Sequence, residues 1–278
     1  MTLRASNVIA GYNASRDNVL RDVSCDFHAG HVTVIAGPNG AGKSTLLRVL
    51  LGVMHASTGT VSLDGTPLAA MKPPLRARHI AYMPQRTSLA FAFRVVDVVA
   101  FGALGVAQSR AVELATLALR DVGLADRANE PFASLSVGQQ QRATLARALA
   151  QLRSADTAPG TRVLLADEPV SAQDPASALR MCDLLVSLAR EQTLAVVCVM
   201  HDLTLARRIA DDCLLLTCEG RVAATGPAHN VLTPVNLADV FGVQFAEIRV
   251  ESGGISVPTI VPVGPQVVPA SRATTNES

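Results

Sequence analysis

The stretch Gly37-Pro38-Asn39-Gly40-Ala41-Gly42-Lys43-Ser44-Thr45 follows the apolar run Val32-Thr33-Val34-Ile35-Ala36 and leads straight into Leu46-Leu47-Arg48-Val49-Leu50-Leu51. That order predicts a strand, a glycine-rich loop and a helix, the layout of a phosphate-binding P-loop. Gly37, Gly40 and Gly42 permit backbone angles and a close approach that a Cβ would block, so that several N–H groups can converge on phosphate oxygens. The following helix aims the positive end of its dipole at the same anion. Lys43 can reach the β- and γ-phosphates, and the Ser44 hydroxyl is placed to hold Mg²⁺.

Working outward, the apolar run Arg162-Val163-Leu164-Leu165-Ala166 ends in Asp167-Glu168, and Leu194 to Met200 ends in His201. A helix over Pro175–Glu191 is expected between them. Continuous apolar strands separated by a helix indicate a parallel sheet buried on both faces, whose carboxyl edge is where open α/β sheets place their ligands. At that edge Asp167 suits the coordination sphere of Mg²⁺, Glu168 suits polarising a water that attacks a γ-phosphate, and His201 can donate to a phosphate oxygen. Gln85, after Tyr82-Met83-Pro84, offers an amide at another strand end, and Tyr12 an aromatic face for adenine. His28, His31, His55, His79 and His229 are read as structural.

Residues 1–35 alternate apolar and polar, with turn signals at Gly11-Tyr12-Asn13 and His28-Ala29-Gly30, and predict short strands of a partly antiparallel sheet. Thr60–Gly65 and His79–Met83 read the same way. From about Asp97 to Leu152 the spacing becomes helical, as in Ala111, Leu114, Ala115, Ala118 and Leu119, which predicts a separate helical subdomain. Within it Leu135-Ser136-Val137-Gly138-Gln139-Gln140-Gln141-Arg142 opens a helix with Ser136 as N-cap, a second anion-binding helix end. RSADTAPG, residues 153–160, reads as a surface loop. Beyond about Val250 no period remains, and the last dozen residues are expected to be disordered.

Composition narrows the function classes. The chain has 278 residues and a formal net charge of +1. Its sequence pI is near 7.7. Aromatics make up 3%, with no Trp. Neither a basic footprint nor a stacking platform for nucleic acid is present. Mean hydropathy is high at +0.31, yet no run reaches the ~20 apolar residues of a membrane span. The N-terminus lacks the apolar stretch of a signal peptide, so a cytosolic location is expected. Cys25, Cys182, Cys198, Cys213 and Cys218 show no C-x-x-C spacing and are read as reduced core thiols.

Taken in order, Tyr12, GPNGAGKST, Gln85, LSVGQQQR, VLLADEP, SAQD and His201 resemble the nucleotide-binding subunit of an ABC transporter, over residues 1 to about 250. The resemblance implies an α/β fold, a P-loop NTPase (RecA-like) cassette with an antiparallel β-subdomain and an inserted helical subdomain at about 90–155, followed by a partly disordered tail at 251–278. It implies a homodimer closed head to tail, each ATP lying between one copy's P-loop and residues 135–139 of the other.

Carried over by position, Gly37, Pro38, Asn39, Gly40, Ala41, Gly42, Lys43, Ser44 and Thr45 bind ATP phosphates, with Tyr12 on the base. Ser44, Gln85 and Asp167 serve Mg²⁺, and Gln85 also senses the membrane partner. Ser136, Gly138 and Gln139 contact the partner's nucleotide, Glu168 is the catalytic base, Asp174 ends the D-loop and His201 is the switch histidine.

Three positions depart from the family's usual pattern: Val137 stands for glycine, Val170 for threonine and Gln173 for leucine. Val137 could crowd the γ-phosphate across the dimer, which predicts a changed rate rather than a dead site. Finer stretches, SLAFAF at 88–93, ARALAQL, VLTPVNLADVFGV and VPTIVP, resemble the hemin branch of the metal-chelate importers. That branch implies two membrane-spanning permease subunits, a periplasmic substrate-binding protein, no nucleic acid and a place on the cytoplasmic face of the inner membrane. The nearest alternative is a ferric-siderophore or cobalamin importer; a different class would be a soluble, non-transport ABC ATPase.

Overall fold

The computed structural model describes residues 2–12, 18–85, 92–103, 105–154, 160–252 and 255–265. The chain first lays down β1 (Thr2–Gly11) and β2 (Asn18–His28), then β3 (Val32–Ala36), α1 (Lys43–Leu50), β4 (Thr58–Leu63) and β5 (Thr66–Pro67). After α2 (Pro73–His79) and β6 (Ile80–Met83) come the helices α3 (Val95–Ala100), α4 (Gln108–Asp121) and α5 (Val137–Arg153). Strands and helices then alternate through β7 (Val163–Asp167), α6 (Pro175–Gln192), β8 (Ala195–Val199), α7 (Leu203–Ile209) and β9 (Asp212–Leu216). The last elements are β10 (Val222–Pro227), α8 (Ala228–Val231), α9 (Pro234–Phe241), β11 (Val243–Ser252) and β12 (Ile255–Pro265).

Two sheets form the frame. A six-stranded sheet has the order β10-β9-β3-β8-β7-β6, and a four-stranded sheet the order β2-β1-β4-β5. From β9 to β6 every neighbour pair in the first sheet is parallel, and only the edge pair β10/β9 is antiparallel. The second sheet is antiparallel throughout. The expected antiparallel subdomain is therefore present, although β1 and β2 are long rather than short, and their pairing carries register shifts between Ala5 and Gly11.

One expectation is corrected. Residues 80–83 do not join the antiparallel sheet; β6 pairs in parallel with β7, Tyr82 opposite Leu165. Ile80, Ala81 and Met83 are buried, so the strand is covered on both faces as a parallel strand must be.

The period of two divides the central strands between two apolar clusters. Val32, Val34, Leu164, Ala166, Val196 and Cys198 face the helices. Ile35, Val163, Leu165, Val197 and Val199 face α1 and the antiparallel sheet. On α4 the stripe Ala111, Leu114, Ala115, Ala118 and Leu119 is buried, as its spacing predicts.

Beyond Val250 the chain is not aperiodic. β11 and β12 pair antiparallel from Val243/Pro265 to Ser252/Ile255, and Ile260 is buried among the residues of the helix-side core. Pro258, Pro262 and Pro265 hide the strand in the sequence. They are tolerated because each strand of a two-stranded hairpin has a free edge that needs no N–H donor. The expected turn at Asn13, the residues 88–91 of SLAFAF, most of RSADTAPG and the last dozen residues lie outside the described residues.

All five cysteines are free, but only Cys182, Cys198 and Cys213 are buried. Burial pushes the Cys182 thiol up to about 11 and the Cys213 thiol up to about 12. Cys25 is half-buried and packs against the second of the two apolar clusters, whereas Cys218 is exposed and is not a core thiol.

Candidate functional site

The carboxyl ends of β3, β6, β7 and β8 bring the chemistry-bearing residues together. After β3 the chain passes Gly37 at φ +149°, Gly40 at +83° and Gly42 at +89° before α1 begins. The base of this loop is closely packed: a Cβ on Gly37 would lie 2.5 Å from the Leu216 carbonyl oxygen. Asn39 and Gly40, at its tip, are exposed. Helix α1 starts at Gly42 without any side-chain cap, so its first N–H groups face the loop ready for an anion.

Lys43 is buried, with 6% of its surface exposed. Its Nζ donates to the Gly37 and Pro38 carbonyl oxygens, both at 2.8 Å. Burial lowers its pKa, while Glu168 and Asp167 oppose that shift. The ammonium is thus pre-positioned across the loop it would serve, held by carbonyls that a phosphate oxygen can replace. Tyr12, 59% exposed, shares its hydroxyl with Thr45 Oγ1 at 3.1 Å and accepts from Arg48 Nη1 at 2.9 Å. The ring therefore stands beside the first turn of α1, with the Arg48 guanidinium 5.7 Å from its centroid.

Strand parity places the two acids. Asp167 continues the Val163, Leu165 face, so it points to α1: Ser44 Oγ donates to its Oδ1 at 3.3 Å and Tyr82 Oη to its Oδ2 at 3.2 Å. Burial, then the neighbouring Asp167 carboxylate, pushes the Tyr82 phenol up to about 12, so it stays a donor. At Glu168 the backbone takes φ +50°, a conformation L-residues adopt at a cost and one that clusters at functional sites. The turn swings this carboxylate out of the strand's alternation and across the sheet edge. Gln85 Nε2 donates to Oε2, and His201 Nε2 lies 2.8 Å from Oε1. Both oxygens of Glu168 are thereby fixed by groups from two other strand ends. A cavity of about 420 Å³ opens beside Glu168 and His201, walled by Val170, Leu179 and Leu205.

The second helix end is built as its sequence predicts. Ser136 Oγ accepts from Gln139 N at 3.3 Å and Gln139 Oε1 accepts from Ser136 N at 2.8 Å, a capping box at the start of α5. Val137 is 52% exposed and packs into no core. Gly138 sits against the start of α6, where a Cβ would meet Ser177 at 3.2 Å. Asp174 caps α6 through Ser177 N at 3.0 Å. Among the described residues, Ser136, Gly138 and Gln139 make no hydrogen bond to the P-loop, so within one chain they stand apart from it.

Two contacts were not anticipated from sequence. Tyr82 holds Asp167, and Gln141 Nε2 donates to the Gln85 carbonyl oxygen at 2.6 Å. The first becomes legible once β6 is seated beside β7, because Tyr82 then falls one pleat from Asp167. No signal marks the second.

The family model described as ABC transporter matches residues 20–171. The hemin import ATP-binding protein of Rhodopseudomonas palustris is 44% identical over 214 residues, covering 77% of this chain and 79% of that one. The hemin import ATP-binding protein of Agrobacterium fabrum is 36% identical over 270 residues, covering 97% and 99%. Among solved structures, an inward-facing conformation of a metal-chelate type ABC transporter superposes with a TM-score of 0.80 at 29% identity, covering 94% of this chain and 97% of that one. The dimeric structure of a bacterial ABC transporter cassette gives 0.69 at 26%, covering 81% and 98%. With a family match over more than half its length and relatives aligned along 79% and 99% of theirs, the chain belongs to the ABC transporter family, as one of its ATP-binding, ATP-hydrolysing subunits.

Proposed function

We propose that the chain powers the import of hemin across a bacterial inner membrane, working as a homodimer on the cytoplasmic face beneath two membrane-spanning permease subunits that receive hemin from a periplasmic binding protein. The observation that carries the substrate is the breadth of the likeness to hemin import proteins. It runs through 97% of the chain, well beyond the ATPase motifs that all transport cassettes share. Among the described residues no helix is long and apolar enough to cross a membrane, which fits a subunit that leaves the pore to partners. The dimeric cassette among the structural neighbours supports the homodimer.

In this reading the ATP phosphates lie against residues 37–45 and the first turn of α1, with adenine on Tyr12. The Lys43 ammonium exchanges the Gly37 and Pro38 carbonyls for phosphate oxygens. Ser44 Oγ and Asp167 Oδ1 already converge at 3.3 Å, and with the Gln85 amide they form an oxygen set of the hard kind that suits Mg²⁺. When bound, Mg²⁺ supplies neutralisation of charge on the phosphate oxygens. Glu168 accepts a proton from water as the water oxygen bonds to the γ-phosphorus and the bond to the ADP oxygen breaks. His201 holds the carboxylate and donates toward the phosphate. Ser136, Gly138 and Gln139 meet the nucleotide of the partner copy, so the closed dimer is favoured by ATP and released by hydrolysis.

The test is growth of a strain lacking this chain on hemin as the only iron source, beside a ferric-siderophore control. Loss on hemin alone, restored by the wild type and not by Glu168→Gln, is the expected result. Loss on the siderophore instead would move the chain to the sister branch of chelate importers.

A further inference from the structure

Helix α5 is stitched to β6 at two points. At its C-terminal end Gln151 Nε2 donates to the Ala77 and Ile80 carbonyl oxygens at 2.8 and 3.0 Å. At its N-terminal end Gln141 Nε2 donates to the Gln85 carbonyl oxygen at 2.6 Å. Ten helical residues rise about 15 Å, and the five residues from Ile80 to Gln85 span about 16 Å when extended. The two lengths match, so the helix and the strand lie side by side in opposite directions with both ends pinned. Gln85 therefore keeps a fixed height relative to the first turn of α5.

From the geometry we infer that Gln141 is a positioning residue for hydrolysis, which ties the helix bearing Ser136 and Gly138 to Gln85 and, through the Gln85 amide, to the Glu168 carboxylate. The connection is continuous. Gln141 holds the Gln85 backbone, the Gln85 side chain donates to Glu168 Oε2, and Glu168 Oε1 meets His201. A displacement of α5 by a nucleotide on its N-terminal turn is thus transmitted to the carboxylate. Its neighbours point elsewhere: Gln139 closes the capping box and Gln140 donates to the Leu135 carbonyl.

Packing alone does not account for a glutamine here. Gln141 is 7% exposed, and among the described residues its buried Oε1 has no hydrogen-bond partner. A methionine of similar volume would fill the same space without stranding an acceptor. What the amide supplies and methionine cannot is the donor to Gln85.

The inference rests on the reading of Gln85 and Glu168 as parts of the hydrolytic site, and its test is a double-mutant cycle on ATP turnover. Gln141→Met, with Gln141→Leu as a second variant, is expected to lower kcat about tenfold while KM for ATP stays within about twofold. Gln151→Met, which breaks the equivalent stitch at the other end, should leave kcat within about twofold. In a Gln85→Ala background the Gln141 substitution should cost nothing further. A full loss in that background, or equal losses from Gln141→Met and Gln151→Met tracking a common fall in thermal midpoint, would reduce Gln141 to a structural residue and overturn the inference. Turnover retained by Glu168→Gln would instead remove the base assignment, a result that the Gln141–Gln85 cycle does not depend on.

Discussion

Replacing Gly42 by alanine confronts the P-loop with two separable costs. The first is conformational: at φ +89° and ψ 12° an L-residue is in left-handed space, at about 1–2 kcal/mol. The second is steric, because the new Cβ would lie 2.7 Å from Leu20 Cδ2 and 3.0 Å from Val19 Cγ1, inside the ~3.5–4.0 Å at which carbons rest. Leu20 is fully buried and has nowhere to retreat, so an overpacking cost of about 1–3 kcal/mol applies. Against these, a less flexible unfolded chain returns roughly 0.4–1 kcal/mol. The net loss is about 1–4.5 kcal/mol, centred near 3.

Gly40→Ala is the internal control. Its φ is +83°, yet nothing lies within 4 Å of the added Cβ, so only the conformational cost remains, about 1 kcal/mol after the same offset. With a urea slope near ~3 kcal/mol per molar, the upper part of the ordinary range, Gly42→Ala should lower the unfolding midpoint by about 1 M and Gly40→Ala by no more than about 0.3 M. Equal shifts for the two variants would refute the packing argument. No shift for either would refute the claim that the loop needs left-handed residues.

Asp64 joins the β4–β5 turn to the start of β7, accepting from Thr161 N at 2.7 Å, Thr161 Oγ1 at 2.8 Å and Thr2 N at 2.8 Å. Burial raises its pKa, but these hydrogen bonds outweigh burial and hold it below the ordinary carboxylate range. A depressed folded pKa contributes stability that is present above the unfolded value and lost as pH falls through the folded one. Asp64→Asn should therefore cost roughly 1 kcal/mol at pH 7, discounted for solvent screening, with the deficit closing below about pH 4; denaturant melts at pH 7 and pH 3 check this, and a constant deficit would contradict it. Ser136→Ala removes the capping box and should destabilise by about 1 kcal/mol, measurable as a lowered thermal midpoint and recovered in large part by Ser136→Asp.

Much of the site could be read before any coordinates. The glycines of residues 37–45 need positive φ, and Asp167, Glu168 and His201 follow apolar strands, so placing them at one sheet edge required only the parallel-sheet rule. What could not be read depends on which strand neighbours which. A four-residue strand such as β6 offers two alternations, too few to distinguish a buried parallel strand from an antiparallel one. Tyr82 stayed hidden behind that single assignment, whereas nothing in the sequence marks the contact of Gln141 with the Gln85 backbone. The hairpin of β11 and β12 was masked by its prolines, which count against a strand in general but not on a free edge. The positive φ at Glu168 has no sequence signature, since a non-glycine residue in that region is set by the turn's surroundings.

The most direct measurement is steady-state ATP turnover of the wild type and of Glu168→Gln in the same preparation, with nucleotide binding measured in parallel. A carboxylate held on both oxygens by Gln85 and His201, and acting as base for the attacking water, predicts that Glu168→Gln binds ATP as tightly as the wild type while turnover falls by about two orders of magnitude or more. Turnover near the wild-type rate in that variant would contradict the account.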